Sequence, residues 1–149
     1  MSLIEQIKEL REATGISLAQ CKKALEQSRG DIEKARGLLR EWGVSVAAKK
    51  EGREAGEGII HAYVHQTGKV GVLVDVRCET DFVTRSEDFH ALCHEVALQI
   101  AAMNPQDTQE LLSQPYIKES SRTVKDLLTD TIAKVGENIT VYRFSRFEV

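Results

Sequence analysis

No stretch of this sequence approaches the roughly 20 consecutive apolar residues that a membrane-spanning helix needs. No charged-then-apolar leader with a small-residue cleavage site opens it either. Excess positive charge is missing: 20 Lys and Arg stand against 23 Asp and Glu, a formal net charge of -3. That argues against the broad basic footprint of a dedicated nucleic-acid binder. Cysteines are few, at Cys21, Cys78 and Cys93, an odd number without the paired spacing of a metal site. The expectation is a cytoplasmic chain with reduced thiols, no membrane contact and no direct nucleic-acid contact. What the 149 residues do have is 42% hydrophobic and 29% charged side chains, the balance of a folded protein with a modest core.

Two modules with different periodicity divide the sequence. Residues 1–43 read as three short helices punctuated by glycine. Ser2 and Glu5 form a Ser-x-x-Glu capping box, and Ile4, Ile7 and Leu10 recur at helical spacing until Gly15. Ser17 with Gln20 repeats the device ahead of Leu18, Cys21, Ala24 and Leu25, and Gly30 ends that run. Asp31 caps a third helix carrying Ile32, Ala35, Leu38, Leu39 and Trp42, closed by Gly43. Residues 44–58, VSVAAKKEGREAGEG, read as a linker with one or two helical turns near Val46 to Lys50. The charge also divides: +2 up to Ala55 and -5 from Gly56 onward.

From residue 59 to 149 the period changes from about 3.6 to 2. Ile60, Ala62 and Val64 alternate with Ile59, His61, Tyr63 and His65; Gln66-Thr67-Gly68-Lys69 supplies a turn; Val70, Val72, Val74 and Val76 line one face of a return strand. Residues 87–103 form a helix with Phe89, Leu92, Cys93, Val96, Ala97 and Ile100 inward and Asn104-Pro105 as its stop. A short helix near Gln109 to Ser113 follows, then one carrying Val124, Leu127, Leu128, Ile132 and Val135 and ended by Gly136. A last strand from Asn138 to Glu148 breaks strict alternation, the mark of a bulge or of burial on both faces. The fold class is α+β: a helical bundle, a linker, and a three-stranded antiparallel sheet packed with helices on one side. So small a sheet needs its other face covered, by a second copy of the chain or by another protein.

Little catalytic chemistry stands out. His90 and His94 are four apart on a helix, but Ala91 replaces the glutamate of a zincin and no third ligand is signalled, so no metal is expected. His61 and His65 are about 13 Å apart along a strand, too far to share an ion. Cys21 and Cys93 lie on inward stripes and read as small apolar residues. A hydrolase would need His90, His94 and Cys93 to converge, which helical spacing disfavours. Lys49, Lys50 and Arg53 read as a solvated charge run. The unusual segment is Cys78-Glu79-Thr80-Asp81-Phe82-Val83, which puts a large aromatic beside a carboxylate in a strand-to-helix connection. Two readings are open: Phe82 folds back on the core while Asp81 caps the next helix, or Phe82 is a presented anchor for a partner.

That segment resembles the central signature of the elongation factor Ts family. Leu10-Arg11-Glu12-Ala13-Thr14-Gly15 with Cys21-Lys22-Lys23-Ala24-Leu25 is similar to the family's N-terminal signature, and Lys134-Val135-Gly136-Glu137-Asn138-Ile139 matches near the end. The resemblance implies a ubiquitin-associated-like domain over 1–43, a linker over 44–58 and an α+β core over 59–149. It implies a guanine-nucleotide exchange factor, not an enzyme and without cofactor, that promotes GDP release from elongation factor Tu in its GDP-bound and nucleotide-free forms. Asp81 and Phe82, flanked by Thr80 and Val83, would wedge near the GTPase's magnesium and phosphate sites. Lys8, Arg11, Leu18 and Ala19 would form a second contact surface, and His65 and Gln66 would meet a distal domain. Departures are Thr84 in place of Ala or Ser, Arg77 in place of Asn, and a shortened stretch between Asn104-Pro105 and Leu111. A short form of this kind is expected to pair as a homodimer. The alternative is a chaperone or ribosome-associated adaptor without exchange activity.

Overall fold

A computed structural model describes all residues 1–149. Its first three helices are α1 (Leu3–Thr14), α2 (Leu18–Gln27) and α3 (Ile32–Lys50). The capping box of α1 closes with both bonds: Glu5 N–H donates to Ser2 Oγ at 3.2 Å, and Ser2 N–H to Glu5 Oε2 at 2.8 Å. At α2 Ser17 accepts from Gln20 N–H at 3.3 Å, the first half of the same device. Leu10, Ile16, Cys21, Ala24, Leu25, Ala35 and Leu39 make a separate small core. Ile4 and Leu18, placed inward by periodicity, are instead 67% and 47% exposed.

The third helix does not close at Gly43. It continues to Lys50, 19 residues in all, taking up seven residues assigned to the linker, and the chain leaves it at Glu51. Gly43 is buried because α3 lies against a later helix there. A Cβ at this position would stand 3.4 Å from the Cβ of Ala133. The missing side chain permits close packing rather than terminating the helix, and Lys49 and Lys50 in the last turn favour the helix dipole.

The second unit is built on β1 (Glu57–Val64), β2 (Val70–Cys78) and, after the helices, β5 (Thr140–Glu148). They pair antiparallel in the order β1-β2-β5, so the hairpin strand β2 is central. Between them come α4 (Asp81–Thr84), α5 (Glu87–Met103), α6 (Thr108–Ser113), a two-stranded ribbon of β3 (Pro115–Tyr116) and β4 (Glu119–Thr123), and α7 (Val124–Val135). Val72, Val74 and Val76 are buried against Phe89, Leu92, Val96 and Ile100 of α5 and Val124, Leu128 and Ile132 of α7. Of the two readings of the last strand, the bulge is the one present. The β2–β5 register shifts between Asp75 and Val76, opposite Tyr142.

The ribbon was not anticipated as strands. It is held by Gln99, which is fully buried: its amide donates to Gln114 Oε1 at 3.2 Å and to the Pro115 carbonyl at 3.0 Å, and its oxygen accepts from Ile117 N–H at 3.0 Å. Helices cover one face of the main sheet only. The opposite face leaves Ile60, Val64, Leu73 and Phe147 exposed at 58, 67, 50 and 76%.

Candidate protein-binding site

The strand β2 ends at Cys78, and Thr80 then caps the single turn of α4 by accepting from Val83 N–H at 3.4 Å. Val83 and Thr84 turn inward and are buried. That leaves the second residue of the turn pointing out. Phe82 is 85% exposed, so the fold-back reading fails. Its companion fails too, since Thr80 caps α4 and Ser86 caps α5, while Asp81 sits in the first turn of α4.

Asp81 is also exposed, and Arg85 one turn later pairs with it. The Arg85 hydrogen bond first, then that of Thr84, holds the Asp81 carboxyl below the usual carboxylate range. Thr84 donates to the Asp81 carbonyl at 2.6 Å and to its carboxylate at 3.1 Å. The hydroxyl, which a serine would also carry and an alanine would lack, thus closes the turn on itself. Arg77, the other departure, donates to Asp75 at 3.1 Å and lies 3.7 Å above the ring of Tyr142.

The tip does not stand alone. Glu137, just past α7, accepts from Glu79 N–H at 3.1 Å, Thr80 N–H at 2.9 Å and the Thr80 hydroxyl at 2.6 Å. Glu79 reaches back to Asn138 N–H at 2.8 Å and pairs with Arg53 at 3.1 Å. Arg53 is therefore no free member of a charge run, and local pattern gave no sign that these four residues pair with one another. The same end of α7 meets the bundle. A Cβ on Gly15 would lie 3.1 Å from Cδ and Cε of Lys134. Lys8 and Arg11 on α1, and Leu18 and Ala19 opening α2, are all exposed on that bundle. The end of α7 thus carries both the tip and the module bearing these four residues.

His65 and Gln66 are elsewhere. They open the turn between β1 and β2, at the opposite end of β2 from Thr80, and nine strand residues put them about 30 Å away. Gln66 is exposed, and His65 is half-buried with its Nδ1 3.0 Å from the Tyr63 hydroxyl. Three residues missed as a group meet beside it: the His61 ring lies 5.6 Å from that of His94, and Tyr63 6.1 Å from His94, centroid to centroid. Burial first, then His94 and His90, push the His61 pKa down. No three His, Cys, Asp or Glu side chains converge as a metal site.

The thiols offer no nucleophile. All three are buried, and burial raises Cys93 to about 12 and Cys78 to about 11. A groove of about 790 Å³ runs between α3, α6, α7 and β5, lined by apolar Val44, Ala47, Leu112, Leu128 and Ile132 and by polar residues that include Glu51, Lys125 and Asn138. The feature that stands out is a stiffly mounted aromatic, suited to binding a protein.

Comparison with known proteins shows the family of the chain. The family profile described as Elongation factor TS matches residues 79–149, and a UBA-like domain profile matches residues 1–36. Elongation factor Ts of Leptospira biflexa is 46% identical over 190 aligned residues, covering 97% of this chain and 96% of its own length. Elongation factor Ts of Coprothermobacter proteolyticus is 42% identical, with 95% and 94% covered, and that of Carboxydothermus hydrogenoformans 40%, with 97% and 88%. An alignment of 190 residues against a chain of 149 means that part of the relative has no counterpart here. With the N-terminal helices UBA-like and relatives of this identity spanning nearly the whole sequence, the chain belongs to the elongation factor Ts family.

Proposed function

We propose that this chain promotes GDP release from elongation factor Tu by inserting Phe82 into the GTPase near its magnesium and phosphate sites. The observation that carries the reading is the mounting of Phe82: 85% exposed on a one-turn helix whose cap is tied to Glu137. Exchange requires no acid, base or nucleophile. Nucleotide release is slow because magnesium and backbone amides grip the phosphates. A protein that binds the nucleotide-free conformation more tightly must weaken nucleotide binding by the same factor.

The magnitudes suffice. Burying one phenylalanine side chain supplies about 1.5–3 kcal/mol, and about 1.4 kcal/mol is tenfold in an equilibrium constant. If Phe82 is buried only in the nucleotide-free complex, that one contact shifts nucleotide affinity tenfold to a hundredfold. Asp81 arrives already paired with Arg85, so it adds direction at little cost in bare charge. Lys8, Arg11, Leu18 and Ala19 provide a second contact from the bundle, and His65 with Gln66 a third at the far end of the hairpin. A second copy of the chain covers the bare sheet face, bringing two such tips into one homodimer.

Release of a fluorescent GDP analogue from elongation factor Tu, followed across concentrations of this chain, tests the reading. A saturable rise in release rate is expected. Binding without acceleration would instead identify a non-exchanging adaptor.

A further inference from the structure

Glu137 is 58 positions from Glu79 in the sequence, yet it satisfies the backbone where β2 gives way to α4. Its Oε1 accepts from two successive amides, Glu79 and Thr80, and its Oε2 accepts from the Thr80 hydroxyl at 2.6 Å. With that proton committed, the Thr80 oxygen has only lone pairs to offer, and Val83 N–H donates to it as the cap of α4. Glu79 answers in the opposite direction, accepting from Asn138 N–H and pairing with Arg53, whose carbonyl accepts from Asn138 Nδ2 at 2.8 Å. The two segments therefore exchange carboxylate-to-amide bonds both ways. A helix of four residues does not hold itself in water. Its orientation is set from outside, by the core contact of Val83 on its inner side and by the cap at Thr80.

We propose that Glu137 is a positioning residue for exchange: by fixing Thr80 it fixes α4, so that Phe82 meets the GTPase in a single orientation. The proposal rests on the exchange reading above and adds a requirement to it. A wedge separates packed groups only if it is stiffer than they are. If the tip is mobile, each backbone residue newly ordered on binding costs roughly a factor of ten.

Two readouts test this, GDP release from elongation factor Tu and backbone amide hydrogen exchange of the full chain. Glu137→Ala is expected to lower the maximal release rate about tenfold or more, with little change in the association rate constant, since the contact surface is untouched. Amide protection at Glu79, Thr80 and Val83 should fall while that of α5 and α7 stays. Glu137→Gln retains a carbonyl for the two amides and should recover most of the rate and the protection. A folded Glu137→Ala protein with the wild-type maximal rate overturns the proposal, as does Glu137→Gln no better than Glu137→Ala. Should Glu137→Ala not fold, Thr80→Val removes the hydroxyl through which Glu137 reaches the cap of α4, leaving the two Glu137-to-amide bonds in place: a lowered maximal rate with protection lost at Val83 supports the role, and an unchanged rate overturns it. The wild-type chain run alongside keeps the two claims apart. No acceleration by the wild type refutes the exchange reading, whereas acceleration that Glu137→Ala matches refutes only the positioning role.

Discussion

Arg143 on β5 stands directly opposite Asp75 on β2 and donates to its carboxylate at 3.1 Å, on the open face of the sheet. Arg77 holds the same carboxylate from along the strand, through two hydrogen bonds of 3.1 and 3.2 Å. Asp75 is 6% exposed, and burial alone would raise its pKa. The Arg77 hydrogen bond, with Arg143 behind it, wins and sets the carboxyl below its ordinary value.

The sign of the pH dependence follows. A carboxyl whose folded pKa is depressed stabilises the fold above its unfolded pKa of about 3.9, and that stability is lost as pH falls through the folded value. Urea midpoints measured from neutral pH downward should fall steeply only below about pH 4. Asp75→Asn should reduce stability at neutral pH by about 1–2 kcal/mol and flatten the acid limb, because the two arginines it leaves can turn to water. An unchanged acid limb in that variant would show that other carboxylates carry it.

Phe82→Ala separates a binding anchor from a core residue. An 85% exposed side chain contributes little to folding, so urea unfolding should shift by no more than about 0.5 kcal/mol. Stimulated GDP release should be lost nearly completely. Arg11→Ala offers a contrast: an exposed charge at the rim acts mainly on encounter, so its effect should be a slower association that fades with added salt.

Much of this architecture was legible in the sequence where side chains repeat or punctuation is local. The helix over 87–103 was recovered with its inward stripe because six regularly spaced apolar residues, all buried, run up to the stop at Asn104-Pro105. Gly43 misled because a helix stop and a close helix contact use the same residue, and only the position of Ala133 distinguishes them. The β3–β4 ribbon escaped because Glu-Ser-Ser-Arg-Thr shows no alternation, and its support is one buried amide from another element. Phe82 was conspicuous as an aromatic where a small polar residue belongs. Its support by Glu137 left no trace in local pattern, since hydrogen bonds between segments 58 positions apart impose no periodicity.

Gly58 sits where β1 pairs with Arg77 at the tip end of the sheet. A Cβ there would stand 2.3 Å from the Val76 carbonyl oxygen and 2.8 Å from the Arg77 Cα, both backbone atoms of the central strand. Neither can yield as a flexible side chain would. Gly58→Ala should therefore cost about 1–3 kcal/mol in urea unfolding as β1 is forced off β2. Gly56→Ala is the control two residues away, with nothing within 4 Å of the added carbon, and should unfold as the wild type does.

The open face of the sheet makes the last prediction. Across it run Ile60 and Val64 on β1, Leu73 at the centre and Phe147 on β5, all at least half exposed and on the side away from the helices. A twofold axis through such a face matches it with itself, so one patch supplies both halves of an interface. The Asp75 carboxylate within it is held by two arginines, so pairing two copies buries no unpaired carboxylate there, and the one positive charge left over per copy stays in water if the largely exposed Arg143 lies at the rim. Sedimentation at tens of micromolar should show a dimer. Replacing Leu73 and Phe147 together by serine should give a monomer that keeps its fold, since neither side chain reaches the core under β2. If the homodimer serves exchange, the release rate per chain should fall in the double variant, and for the wild type it should rise with concentration across the dimerisation range. A wild-type monomer at those concentrations, alone and with elongation factor Tu, would leave the sheet face to some other protein.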